Sequence, residues 1–152
     1  MDLQTQWIVG FVDGEGCFHV GINTNSTLSS GYQVLPEFTV TQHKRDIKVL
    51  HALKSFFKCG VVRVNHGDRD CFRLRKLDHL KTVVIPFFEN HKLLTTKRID
   101  FEKCRTVVLM MEKKQHLTRD GVDRIREIQH TMNRKAKNLR ESPALYENKE
   151  TI

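Results

Sequence analysis

The sequence predicts an α+β domain, with one four-stranded antiparallel sheet and helices on a single face of it. Three observations carry that expectation. Apolar residues change period along the chain in the order helix, two strands, helix, two strands, then helices. Each pair of strand-like runs is joined by a polar, glycine-containing turn, the mark of an antiparallel hairpin. The chain of 152 residues is 39% apolar and carries nine phenylalanines, enough for one globular core. Residues 1–140 are expected to form that domain, with 141–152 a frayed tail.

The first element is a helix over residues 5–15, ending in Trp7-Ile8-Val9-Gly10-Phe11-Val12-Asp13-Gly14-Glu15-Gly16. Gly10 and Gly14 lie four residues apart and share a face. Each costs about 1 kcal/mol of helix stability relative to alanine, so a close neighbour, a second helix, is expected against that face. Asp13 and Glu15 sit at the C-terminal end, in the unfavourable field of the helix dipole, where carboxylates are badly placed for stability and well placed to hold a cation. Gly14 and Gly16 are expected to turn the chain out of the helix with positive φ. Trp7 is expected to anchor the helix start in the core.

A strand over Cys17–Ile22 follows, with Phe18, Val20 and Ile22 alternating, then a polar loop over 24–31. The second strand, Tyr32 to Gln42, turns Phe38 and Val40 one way and Glu37, Thr39 and Thr41 the other. His43–Asp46 opens a helix with an apolar stripe at Ile47, Leu50, Leu53, Phe56 and Phe57. Strands Val61–Asn65 and Cys71–Arg75 flank a turn at residues 66–70, with Val62, Val64, Phe72 and Leu74 on one face. Leu77, Leu80, Val84 and Phe87 outline a helix interrupted near Pro86, where a separate turn is expected. A helix from Thr95-Thr96-Lys97 runs through Ile99, Cys104, Val107, Val108 and Met111. Thr118 caps another bearing Val122, Ile125, Ile128 and Met132. A basic run follows at Arg134, Lys135, Lys137 and Arg140, and it reads equally as a phosphate-contacting extension or a solvated helix end.

A net charge of +8 points to a polyanionic partner, nucleic acid before anionic membrane. No apolar run approaches the roughly 20 residues that cross a bilayer, and the N-terminus has no signal-peptide pattern, so an intracellular, soluble protein is expected with no membrane partner. Cys17, Cys59, Cys71 and Cys104 form neither a C-x-x-C pair nor a zinc-finger spacing, and free thiols are expected.

The outward sheet face is rich in base-reading side chains: His19, Asn23, Gln33, Glu37, Thr39 and Thr41 from the first hairpin, and Arg63, Asn65, Arg73 and Arg75 from the second. A β-ribbon fits the major groove. There arginine pairs with guanine, Asn and Gln with adenine, and Glu accepts from cytosine N4. A solvated sheet face would also alternate, but arginine concentrated on one hairpin favours DNA.

The run Ile8-Val9-Gly10-Phe11-Val12-Asp13-Gly14-Glu15-Gly16 resembles the LAGLIDADG motif of homing endonucleases, in the single-motif subfamily, with glutamate where many members have the last aspartate. The resemblance covers roughly residues 6–112 and implies the family's α-β-β-α-β-β-α fold. The motif occurs once, so a homodimer with Gly10, Phe11, Asp13 and Gly14 at its interface is implied rather than two fused domains. It further implies a Mg²⁺-dependent endodeoxyribonuclease, with Mn²⁺ or Ca²⁺ able to substitute for binding. Its target would be a long pseudo-palindromic double-stranded DNA, cut to short 3′ overhangs during intron homing. The setting would be bacterial cytoplasm or an organelle matrix. Glu15 would be the catalytic metal ligand, with the Gly14 carbonyl beside it. Gln42 matches the residue that orients catalytic water, and Lys97 the one that stabilises charge near the metal-bound waters. A one-residue slip would put Arg98 in place of Lys97. Asp13 ranks second to Glu15, with a structural or capping role. The rival readings are a maturase on the same fold, which would add host intron RNA as a partner, and a regulator that binds DNA without cutting it.

Overall fold

The computed structural model describes residues 1–133, and the expectations for the basic run and the tail, residues 134–152, lie outside the described residues. The elements are α1 (Thr5–Glu15), β1 (Gly16–Thr24), β2 (Tyr32–His43), a 3₁₀ turn, α2 (Ile47–Phe57), β3 (Val61–His66), β4 (Arg69–Leu74), α3 (Leu77–His79), a π-helical segment (Leu80–Val84), α4 (Ile85–Asn90), α5 (Lys97–Glu112), a second 3₁₀ turn and α6 (Arg119–His130). The strands form one antiparallel sheet in the order β1-β2-β4-β3. This is the α+β architecture that the periodicity predicts.

The inner sheet face carries Phe18, Val20, Phe38, Val40, Phe72 and Leu74, all essentially buried. Against it pack Ile8, Val9 and Val12 of α1, Leu50, Leu53 and Phe57 of α2, Phe88 of α4, and Phe101, Cys104, Val107 and Val108 of α5. Phe18 and Phe38 stack at 5.1 Å and both meet the edge of Phe88 at 5.6 Å, offset and edge-on geometries that suit aromatic quadrupoles. All four cysteines are free. Burial pushes the Cys104 thiol up to about 12, and burial likewise raises Cys17 against the opposing pull of Lys97.

Several local expectations are corrected. Gly16 leaves α1 with φ −78°, and the positive-φ glycines are Gly31, Gly60 and Gly67. What Gly16 supplies is the lack of a side chain: a Cβ there would lie 2.7 Å from Val12 Cγ1 and 2.9 Å from the Val12 carbonyl oxygen. Trp7 is not a core anchor. It is 45% exposed and stacks on Phe11 at 4.7 Å. The second hairpin turns over Gly67-Asp68 alone, so β4 begins at Arg69. On β3, the edge strand beyond β4, Val64 is 67% exposed instead of buried. Ile99 and Phe56 are also exposed.

Pro86 starts no separate turn. In a regular helix its ring would collide with the carbonyl four residues back. Here the preceding turn widens, with the Ile85 N–H donating to the Leu80 carbonyl five residues back, and the chain continues into α4.

Candidate active site

Glu15 is the last residue of α1 and Gly16 the first of β1, so the buried face of α1 fixes where this carboxylate emerges. Ile8, Val9 and Val12 hold the helix on the core, and the Gly16 N–H donates to the Val12 carbonyl to close the last turn. Gly16 pairs with Val40 across the sheet, which brings Gln42, near the end of β2, alongside the helix end. The Gln42 amide donates from Nε2 to Glu15 Oε2 at 3.2 Å and to the Thr41 carbonyl at 2.9 Å. Twenty-seven residues of sequence thus separate two groups in direct contact.

Asp13 points the other way. Its Oδ2 accepts from the Leu94 N–H at 2.7 Å, and its Oδ1 accepts from the Thr95 N–H at 3.1 Å and the Thr95 hydroxyl at 2.8 Å. Burial would raise the Asp13 pKa, but these donors and the nearby Lys97 charge outweigh it and hold the group below the ordinary carboxylate value. The Thr95 hydroxyl oxygen in turn accepts from the Lys97 N–H at 3.2 Å. Asp13 therefore fixes the start of α5, and with it Lys97, whose Nζ donates to the Gly16 carbonyl. Arg98 pairs instead with Glu102, one turn along its own helix, at 3.2 Å. The geometry brings Lys97 to the helix end and turns Arg98 away.

Gln42 thus contacts Glu15 itself and Lys97 the Gly16 carbonyl, one residue on, and Lys97 lines a cleft of about 550 Å³ with Asp13, Gly14, Asp100, Lys103 and Asn133. Asp100, Lys103 and Asn133 escaped the sequence reading. The Asn133 N–H donates to Asp100 and the Lys103 ammonium to the Thr131 carbonyl, links over about thirty residues that no local pattern encodes. Among the described residues no group of three or more His, Cys, Asp or Glu side chains could hold a metal ion. The oxygen donors present, the Glu15 carboxylate and the Gly14 carbonyl, suit a hard cation that keeps water and takes further oxygen from elsewhere.

The outward sheet face carries the candidate DNA contacts. Strand register sets His19 opposite Glu37, Asn23 opposite Gln33, Thr39 between Cys17 and Arg73, and Cys71 between Thr41 and Arg63. Glu37, Thr39, Thr41, Arg63, Arg73 and Arg75 line one groove of about 290 Å³ with Asn65, which lies where the register of the second hairpin shifts. Asn23 and Gln33 stand apart, toward the far end of the first hairpin. Glu37 is already engaged: Arg75 Nε donates to its Oε2 at 2.6 Å, and His19 Nδ1 lies 3.6 Å from its Oε1.

The sequence profile of the LAGLIDADG endonuclease family matches residues 8–108, from the buried face of α1 into α5. The chain belongs to this family. Among solved LAGLIDADG structures it is similar to the crystal structure of the homing endonuclease I-TnaI, with 57% identity and a TM-score of 0.85 over 88% of this chain and 90% of that one. It is also similar to I-SmaMI bound to an uncleaved DNA target in the presence of calcium ions, at 30% identity and a TM-score of 0.85, over 93% of this chain and 49% of that one. A probable intron-encoded endonuclease of Neurospora crassa is 30% identical over 127 residues, 83% of this chain. The chain spans about a quarter of the length of the first curated relatives it matches, 26% in that case. No helix among the described residues is long and apolar enough to cross a membrane.

Proposed function

We propose that this LAGLIDADG protein is a site-specific, double-strand DNA endonuclease of intron homing. It acts as a homodimer on a long pseudo-palindromic target, leaves short 3′ overhangs, and works where the intron's DNA lies, in bacterial cytoplasm or an organelle matrix. Residues 1–140 form the endonuclease domain. The observation that carries this reading is that Gln42 bonds Glu15 and Lys97 bonds the adjoining Gly16 carbonyl, at the end of a helix whose outward glycines meet no neighbour among the described residues. Similarity to I-SmaMI, solved with DNA and calcium ions, and to relatives called intron-encoded endonucleases supports it.

The polar sheet face lies along the major groove. His19, Asn23, Gln33, Thr39, Thr41, Arg63, Asn65, Arg73 and Arg75 contact bases or phosphates, and cleavage occurs across the adjacent minor groove at the α1 end. Glu15 and the Gly14 carbonyl would hold Mg²⁺, with the remaining ligands from water, phosphate and the second copy; Mn²⁺ or Ca²⁺ can replace it for binding. When bound, such an ion neutralises charge developing on the scissile phosphate. Gln42 holds the Glu15 carboxylate in one orientation and has its amide oxygen free to orient the attacking water. Lys97 keeps a positive charge beside the reacting phosphate, where it favours the more negative transition state. Asp13 acts by positioning Lys97.

Cleavage selection on randomised duplex DNA with Mg²⁺, run in parallel for wild type and Glu15→Gln, tests the reading. Wild type should enrich and cut one long, partly palindromic site that Glu15→Gln binds with similar affinity and cuts at least a hundredfold more slowly (about 2.7 kcal/mol in barrier). A site bound by both and cut by neither in Mg²⁺ or Mn²⁺ would mean a regulator. No DNA selected at all would direct the search to the intron RNA.

A further inference from the structure

Glu37 is the one acid among nine residues lining the outer groove, which also holds Arg63, Arg73 and Arg75. Its side chain is only 17% exposed, against 44% for Arg75 and 50% for His19. One carboxylate oxygen accepts from Arg75 Nε at 2.6 Å, a short charge-assisted bond, and the other faces His19 Nδ1 at 3.6 Å. His19 stands directly opposite Glu37 in the β1–β2 register, and Arg75 follows the last residue of β4, so the contact ties together three neighbouring strands. A carboxylate this covered and this occupied is badly placed to accept from cytosine N4.

The consequence lies in the arginine. A guanidinium has five N–H donors in a rigid planar fork. With Nε–H spent on Glu37, the four N–H groups of Nη1 and Nη2 remain, and the plane they lie in is fixed. Two parallel donors at the open end of the fork match guanine O6 and N7. A free arginine would pay rotamer entropy to reach that pose, and it could equally swing to a phosphate.

We propose that Glu37 is a positioning residue for base selection: it clamps Arg75 so that the free edge of the guanidinium reads guanine, and touches no base itself. This rests on the endonuclease reading, since it needs the sheet face against the major groove.

The test is a binding selection on randomised duplex DNA with wild type, Glu37→Gln and Arg75→Lys, with thermal unfolding of each. Wild type should prefer guanine at one position of each half-site by about tenfold or more, the range of a good bidentate pair. Arg75→Lys keeps the charge and loses the fork, so it should relax that position alone. Glu37→Gln should relax the same position to within about threefold, with the other positions and the unfolding temperature little changed. A merely structural role would weaken all positions together. If Glu37→Gln does not fold, Glu37→Asp carries the same test, because the charge stays in the groove while the clamp is withdrawn by one methylene. Retained guanine preference in the Glu37 variant, or loss at a cytosine position that Arg75→Lys leaves intact, overturns the inference while the endonuclease reading stands. If wild type enriches no sequence, both fall.

Discussion

The two acids of the motif have identical charge and different surroundings, and the difference lies in what donates to them. Asp13 accepts three hydrogen bonds from Leu94 and Thr95 and is spent on structure. Among the described residues Glu15 accepts one amide bond, from Gln42, and is exposed. Spacing in the sequence singled out both acids, and resemblance ranked Glu15 first; the reason for the ranking, the loop at 94–95 folding back more than eighty residues later, could not be read locally. Asp13→Asn loses one acceptor and the charge, and should cost about 1–2 kcal/mol at neutral pH. Because the folded pKa lies below the ordinary value of 3.8, the charged form supplies stability that is present above that value and lost as pH falls through the folded pKa. Thermal unfolding should therefore separate wild type from Asp13→Asn at pH 7 and bring them closer together near pH 3. A gap that widens toward acid would contradict the assignment.

At the scale of elements, β1 is an edge strand, yet its outer carbonyls do not face solvent alone. Lys97 donates to Gly16, Asn133 to Phe18 and Gln129 to Val20, the last two at 2.8 Å, so α5, α6 and the residue three past its end satisfy alternate carbonyls along the first part of the edge. An unpaired edge is a template for another strand, and this row of side chains blunts it. It also ties Lys97 to the strand that leads out of Glu15. Gln129→Leu should cost about 1 kcal/mol or somewhat more, since a partly buried carbonyl loses its donor, and should raise aggregation on heating; unfolding and light scattering measured together check both. An unchanged melting curve would show that water replaces the amide freely. Strand and helix periodicity found β1, β2, β4 and the main helices here because each has buried positions on one face, and β3 by its pairing in a hairpin with β4. It missed the edge-capping amides and the exposure of Val64 on an edge strand, which depend on what lies beside each strand, and the widened turn before Pro86.

For the whole molecule, α1 is covered on one side only among the described residues. Its inner side buries Ile8, Val9 and Val12, while Trp7, Gly10, Phe11 and Gly14 recur at helical spacing on the other side. A Cβ built on Gly10 or Gly14 meets nothing within 4 Å among the described residues. On the proposed homodimer these two glycines, which lower helix stability, would admit a second copy that approaches the backbone from outside and, related by a two-fold axis, presents the same face. Such a dimer would bring the two Glu15 carboxylates together near the axis, each supplying the oxygen ligands that one chain alone lacks, and would double the length of DNA read. Gly10→Leu separates the internal from the external role. Among the described residues the added side chain enters open space and replaces a residue poorly suited to a helix, so the folded monomer should be as stable as wild type or up to about 1 kcal/mol more so. Between two chains it holds the backbones apart. Wild type should therefore sediment as a dimer and the variant as a well-folded monomer with double-strand cleavage lost; a variant that still sediments as a dimer would mean that the glycine face is not where the copies meet.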